Sequence, residues 1–313
     1  MPANPWPNGP WIVLAAAALE AAVGYPNAFH RRLPHPVVWI GGLISALEAG
    51  LNHSGFSQIT RRLLGVATVA IIVGVSAMAG WLVTRLGGLW AVVVVGTLGL
   101  AQRSLFDHVR AVAKPLAAGD LDSARITVGH IVGRDVARLN ESDVATAAIE
   151  SLAESFCDGV VAPMFWFVVA GLPGLFVYKA VNTADSLIGH REPRWRAFGW
   201  ASARFDDLLN LIPARLAGVV IAVAGGGGWR IMLRDASKHA SPNAGWPEAA
   251  MAGALGVQLG GPAWYDGVLS QRPVLGEGRQ ATPADLTRAL RIYLLSCGLL
   301  WLMLAEGGLL WPR

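Results

Sequence analysis

Between Arg62 and Arg85 the chain runs for 22 residues, Leu63 to Thr84, without a charged side chain. A helix of that length rises about 33 Å, slightly more than the ~30 Å hydrocarbon core of a bilayer. Few soluble folds offer such a stretch a place, and the rest of the chain repeats the signal. Leu86 to Gln102 adds 17 uncharged residues that end at Arg103. The two runs predict a helical hairpin over 63–102 turning at Arg85, with Gly87 and Gly88 just beyond. Trp81 and Trp90 bracket the turn, as interfacial aromatics do. Gly159 to Tyr178 is uncharged over 20 residues, but Pro163, Gly171, Pro173 and Gly174 interrupt it. That pattern predicts a broken or re-entrant helix. Leu208–Ala214 and Leu216–Trp229 flank Arg215, and Ile292–Ala305 continues past Glu306 to Trp311. Trp11–Gly24 is shorter and carries Glu20; with Arg31 the first basic residue, it lacks the basic flank of a signal peptide. The expected fold is an all-α, polytopic integral membrane protein with four to six hydrophobic helices and helical polar loops.

Composition agrees. Of 313 residues 54% are hydrophobic and 15% charged, and the mean hydropathy is +0.46. This excludes disorder. Two cysteines, Cys157 and Cys297, exclude a disulfide scaffold. A scattered net charge of +4 gives no footprint for nucleic acid. If all six segments cross, the side holding residues 25–62, 103–158 and 230–291 carries 17 Lys/Arg against 8 opposite, which makes the first side cytoplasmic.

The chain reads as a single membrane-embedded domain over 1–313, without internal repeats. Prolines at positions 2, 5, 7 and 10 predict an irregular amino-terminal tail. In the polar segment 103–158, Ser104–Ala118 and Ser123–Val132 have helical spacing. A third helix is expected from Asn140–Ser142, good capping residues, to about Asp158. No stretch alternates as a strand. The prolines and glycines of 230–291 predict a long irregular loop with short helices, and membrane segments over 159–229 and 292–311 complete the chain.

Four polar strings stand out. Glu150, Glu154 and Asp158 recur every four residues along one helical stripe, with Ile149, Leu152 and Phe156 largely on the other side. Three acids on one stripe repel one another, which a bound Mg²⁺ would relieve. The competing reading, favoured by spacing alone, is an acidic face salt-bridged to Arg134, Arg138 or another loop. Lys179, Asn182 and Asp185 share about a third of a helical turn. They suit either an interfacial lysine with a helix terminator or a cation placed for phosphate or carboxylate. Asp206 and Asp207 beside Arg204 are explained by a helix dipole, whereas Asn210 and Arg215 lie deeper in an apolar run, where polar groups are costly. Ser241 to Glu248, through Asn243, is rich in turn residues. No phosphate loop, dinucleotide fingerprint, zinc-protease motif or nucleophile elbow is present.

Six strings in order carry a resemblance. They are His35-Pro36-Val37 with Ile40-Gly41; Gly133-Arg134-Asp135; Glu150 to Glu154 with Asp158-Gly159 and Pro163; Tyr178-Lys179 through Asn182 to Asp185-Ser186; Phe198-Gly199-Trp200 through Arg204, Asp206, Asp207 and Asn210 to Ile212-Pro213 and Arg215; and Ser241-Pro242-Asn243 through Gly245 to Glu248. Together, over about residues 24–262, they resemble the CobD/CbiB proteins of cobalamin biosynthesis. One mild departure is Glu154-Ser155-Phe156-Cys157, where such proteins often read Glu-Asn.

The resemblance implies a multi-pass protein of the inner (plasma) membrane with adenosylcobinamide-phosphate synthase activity. Such an enzyme joins adenosylcobyric acid, through a propionate carboxyl, to aminopropanol or aminopropanol phosphate, forming an amide. It implies ATP as cosubstrate with Mg²⁺, the lipid bilayer as surroundings, and leaves an oligomer open. Amide formation from a free carboxylate is uphill, so the usual route is an acyl phosphate. That route needs Mg²⁺ on phosphates, cations for developing charge and a base for the amine. The implied ligands of Mg²⁺ are Glu150, Glu154 and Asp158. The implied catalytic group is Lys179, Asn182, Asp185, Arg204, Asp206, Asp207 and Asn210, with Asp206 or Asp207 as the base or a second metal site. Substrate binding falls to His35, Arg134, Asp135, Arg215, Ser241, Asn243 and Glu248. A conflict follows: were Gly159–Tyr178 to cross, the Glu150 stripe and Lys179–Asp185 would face opposite sides of the membrane. Re-entry of that segment, or convergence of its polar ends within a membrane cavity, is therefore expected. The alternatives are a non-catalytic, AmpE-like membrane sensor, which should lack the full polar string, and a transporter, which typically shows repeat symmetry.

Overall fold

The computed structural model describes residues 9–25, 35–190 and 192–311. In chain order the first helices are α1 (Gly9–Val23), α2 (Pro36–Leu51) and α3 (Gln58–Thr97). Next come α4 (Gln102–Ala117), α5 (Leu121–Val128), α6 (Glu141–Phe156), a π-turn at Cys157–Val161 and α7 (Ala162–Ile188). Then follow α8 (Trp200–Leu209), α9 (Leu211–Ala224), α10 (Trp229–Asp235) and α11 (Gly245–Leu255). Five short strands, β1 (Val257–Gly260), β2 (Ala263–Tyr265), β3 (Val268–Ser270), β4 (Val274–Gly276) and β5 (Arg279–Gln280), precede α12 (Pro283–Leu310).

Three helical runs, Gln58–Ala117, Glu141–Ile188 and Pro283–Leu310, are long and apolar enough to cross a membrane, and α8 with α9 makes a bent fourth. The shorter α1 and α2 are also apolar. The chain is thus an all-α polytopic membrane protein. Of the prolines expected to mark an irregular tail, those at 2, 5 and 7 lie outside the described residues, while Pro10 belongs to α1.

The chain divides into two compact units. The first comprises the described residues up to Ala101, Ala162–Asn210 and those from Leu304 onward; the second comprises Gln102–Val161 and Leu211–Met303.

In the first unit two helices are broken by glycines. Within α3, Gly88 adopts φ 67°, ψ −174°, and within α7, Gly171 adopts φ 62°, ψ −156°. Only glycine enters that region cheaply. At the α3 break a Cβ on Gly87 would lie 2.5 Å from the Ala91 Cβ, so the arms fold against each other. The expected hairpin therefore turns at Gly88, and its returning arm is helical only to Thr97. The α7 break does more. A Cβ on Gly174 would stand 2.5 Å from the Trp166 carbonyl oxygen, although eight helical residues rise about 12 Å. Trp166 Nε1 donates to the Leu209 carbonyl (3.1 Å) and the Tyr178 hydroxyl to Asn210 Oδ1 (3.0 Å). Residues 166 and 178 thus reach adjacent positions, which a straight helix would hold about 18 Å apart. Ala162, Tyr178, Val181 and Leu209 share one buried cluster. The segment turns back on itself, as expected.

A second cluster of Ile44, Ile72, Ala184, Ile188 and Phe198 ties α2, α3 and α7 together. Beside it, Arg194 donates to both oxygens of Glu48 (3.1 and 2.9 Å), while Asn52 (3.0 Å) and Arg61 donate to the Arg194 carbonyl. The loop after α7 therefore sits on the α2–α3 turn. This corrects the side assignment in which all six segments cross, because that scheme set residues 25–62 opposite the Lys179–Arg204 stretch.

The second unit buries Val109, Val112, Ala148, Ile149, Leu152 and Ala249. Asn140 caps α6 through a reciprocal pair with Asp143 (2.9 and 3.0 Å), so the helix starts where the sequence predicts. The strands are the departure. The segment 257–280 is not an irregular loop: β1 pairs antiparallel with β4 and parallel with β5, giving the order β4-β1-β5. β2 and β3 form a separate hairpin around Asp266 and Gly267, both at positive φ (49° and 75°), the backbone that a two-residue hairpin turn requires.

Candidate functional site

Seven of the candidate residues gather in the first unit. The returning arm of α7 presents Tyr178, Lys179, Asn182 and Asp185 on one stripe. Facing it, α8 presents Asp206, with Arg204 and Asp207 paired beside it, and Asn210 closes α8 as its C-cap. Asp206 is at the centre. Its Oδ1 accepts from Asn182 Nδ2 (3.3 Å) and its Oδ2 from Asn210 Nδ2 (3.0 Å), while Asn210 Oδ1 accepts from the Tyr178 hydroxyl (3.0 Å). Asp206 and Asn210 are buried, so these hydrogen bonds fix the carboxylate's orientation at a place where an unsatisfied group would be costly. Asp185 and Asp207 lie close enough to repel its charge. Asp207 pairs with Arg204 at 3.0 Å, and the Arg204 side chain is 56% exposed. Tyr178 completes this network and was missing from the residues expected there; its place next to Lys179 in the resembling string was the available signal.

The second unit collects another set. Glu150, 2% exposed, accepts from Arg134 and from Arg272 Nη1 (3.1 Å) through Oε2, and from the Gly260 amide (2.5 Å) through Oε1. Arg272 had no motif to announce it. Glu248, equally buried, has an oxygen, Oε2, without a hydrogen-bond partner. Its Oε1 stands 3.7 Å from His239 Nε2. The Ser241 amide donates to His239 Nδ1 (3.0 Å), which leaves the imidazole proton on Nε2, facing Glu248. Burial, then the charges of Glu150 and Glu154, push the Glu248 carboxyl well above its usual range. Burial likewise holds His239 below its usual range. The contact is thus between two neutral groups.

The other expected substrate-binding residues make hydrogen bonds within their own unit. Asp135 accepts from the Gly267 amide (2.9 Å) and donates its own N–H to the Trp264 carbonyl (2.8 Å), pinning the β2–β3 hairpin. Ser241 Oγ accepts from the Asn243 and Ala244 amides (3.2 and 3.3 Å). Asn243 Oδ1 accepts from Arg215 (3.0 Å), whose guanidinium stacks 4.8 Å over Trp246. His35, in the first unit, caps α2 by accepting from the Val37 amide (3.2 Å).

The donor set expected for Mg²⁺ does not fit. Glu150 is committed to two guanidiniums and an amide, whereas Glu154 is exposed on the same helix. Among the described residues no three His, Cys, Asp or Glu side chains are grouped to hold a metal ion. The salt-bridged reading of Glu150, through Arg134, is the one the geometry supports. Asp185, beside Asp206, fits a different demand, because Mg²⁺ carried by a nucleotide needs only one or two protein carboxylates.

The description "CobD/Cbib protein" belongs to a family model that matches residues 13–293. A cobalamin biosynthesis protein CobD of Rhodobacter capsulatus is 48% identical, over 96% of this chain and 98% of its own. Proteins of the same name from Rhizobium meliloti (42%, over 95% and 96%) and Geobacter metallireducens (45%, over 88% of each) are also similar. No solved structure matches. With nearly its whole length matched by the family model and by relatives of such identity, the chain belongs to the CobD/Cbib family.

Proposed function

We propose that this protein acts in cobalamin biosynthesis as an ATP-dependent amide ligase of the cell membrane. It joins adenosylcobyric acid to aminopropanol or aminopropanol phosphate. The observation that supports this most is the buried Asp206, oriented by two amides and flanked by Asp185, in a chain whose relatives carry the cobalamin name. In this reading the substrate propionate takes the γ-phosphoryl group of ATP, giving an acyl phosphate and ADP. The amine nitrogen attacks the acyl carbon, the bond to the phosphate oxygen breaks, and phosphate leaves.

Asp206 accepts the ammonium proton. Asn182 and Asn210 hold its carboxylate in one rotamer, and Tyr178 holds Asn210. Lys179, on the same stripe, offsets phosphate charge. Asp185 would hold the Mg²⁺ carried by a nucleotide, which would neutralise charge on the phosphate oxygens. Arg204, paired and exposed, is left out of the reaction.

The test supplies detergent-purified protein with adenosylcobyric acid, Mg-ATP and each amine in turn, following the product by mass and ADP in parallel. Amide with matching ADP is expected, and Asp206→Asn should lower turnover by about 10²-fold or more. No product from folded protein with either amine would favour the sensor alternative.

A further inference from the structure

An open groove of about 430 Å³ runs between α3 and α8 in the first unit. Val66, Ala70 and Val73 form one wall, and Ala201, Phe205 and Leu208 the other. Val66 and Leu208 are 47% and 61% exposed, an apolar surface that water would penalise. Two cations mark it. Arg204 lines it, and the Arg62 guanidinium stacks 5.7 Å over the ring of Trp200, at the end of the groove where α8 begins.

The level of this end follows from α3. Arg62 and Arg85 bracket its 22 uncharged residues, about 33 Å of helix, and Arg85 stacks 5.9 Å over Trp81 at the far end. Each arginine–tryptophan pair has the amphipathic chemistry of a membrane–water interface. From the Arg62–Trp200 pair the groove runs about 10 Å inward, from Val66 to Val73. Arg194 of the loop after α7 meets the α2–α3 turn at the same end. An apolar channel leading inward from a basic interface matches one ligand class, in which a long hydrocarbon chain carries an anion at its head.

We propose that this groove binds one anionic phospholipid, its acyl chain between α3 and α8 and its phosphate at Arg62, with Arg204, already paired with Asp207, beside it. The inference does not rest on the reaction proposed above. It gives α8, the helix that carries Asp206, a lipid neighbour on its membrane-facing side.

The test reconstitutes the full chain with equimolar phosphatidylglycerol and phosphatidylcholine, extracts it in mild detergent and counts retained lipids by native mass spectrometry. Wild type should retain one phosphatidylglycerol in preference to phosphatidylcholine. Arg62→Gln, an exposed substitution that leaves folding intact, should cut that preference about fivefold, the value of one arginine near an anionic surface. Ala70→Phe, which fills the groove, should abolish retention of both lipids, with circular dichroism confirming the helices. Equal retention of the two lipids by wild type, or undiminished preference in Arg62→Gln, would overturn the proposal.

Discussion

Glu150 and Glu248 belong to one cluster yet carry opposite electrostatic burdens. Glu150 answers two guanidiniums, so replacing it by Gln leaves both arginines buried against a neutral amide. A loss of about 3–5 kcal/mol is expected, read as a lowered unfolding midpoint in detergent. Glu248 is held neutral by burial, and its folded pKa lies above the 4.5 of an ordinary glutamate. Its contribution to stability is therefore complete below about pH 4.5 and declines as pH rises towards the folded value, because only the unfolded chain ionises freely. Glu248→Gln, neutral at every pH, should gain on wild type as pH increases from 4.5 to 8; parallel curves for the two proteins would remove the buried acid. The sequence displayed all of these acids, and the strings that resemble the family included them. It offered Arg134 as a partner of the acidic stripe but not Arg272, which reaches Glu150 from 122 positions away, beyond any local spacing.

Helix breaks were legible where strands were not. Gly171, Pro173 and Gly174 stand in an otherwise apolar run, and both glycine and proline resist a continuous helix, so a turn there follows from the residues alone. The strands are two to four residues long, too short for an alternating pattern. They are also anchored by distant acids: Glu150 to the Gly260 amide (2.5 Å), and Asp235 to the Gly276 amide (2.9 Å). The breaks give a paired prediction. Gly171→Ala should destabilise by about 1–3 kcal/mol, because its backbone conformation is closed to alanine. Gly42→Ala, inside α2 with nothing within 4 Å of the added methyl, should instead stabilise by about 0.5–1 kcal/mol. Thermal unfolding of the two variants in one detergent checks both signs.

For the whole molecule the open question in the sequence was how many segments cross, and hydropathy cannot decide it. A turning segment and a crossing one need the same apolar residues; only the backbone at Gly171 separates them. Once α7 turns back, Lys179 belongs to the end it shares with the start of α7, and Arg194 joins Arg61 at the α2–α3 turn. By the positive-inside rule the concentration of arginine there predicts a cytoplasmic end, the side from which the proposed ligation would draw ATP. Ser54, in the α2–α3 turn, and Ser186, near the end of α7, are both exposed, and the native cysteines are buried. Single cysteines at these two positions should therefore react with a membrane-impermeant maleimide in inverted vesicles and stay silent in intact spheroplasts. Labelling of the two from opposite sides would mean that α7 crosses after all. Labelling of both from outside would keep the hairpin but reverse the orientation, leaving Asp206 and Lys179 facing away from the nucleotide that the proposed ligation consumes.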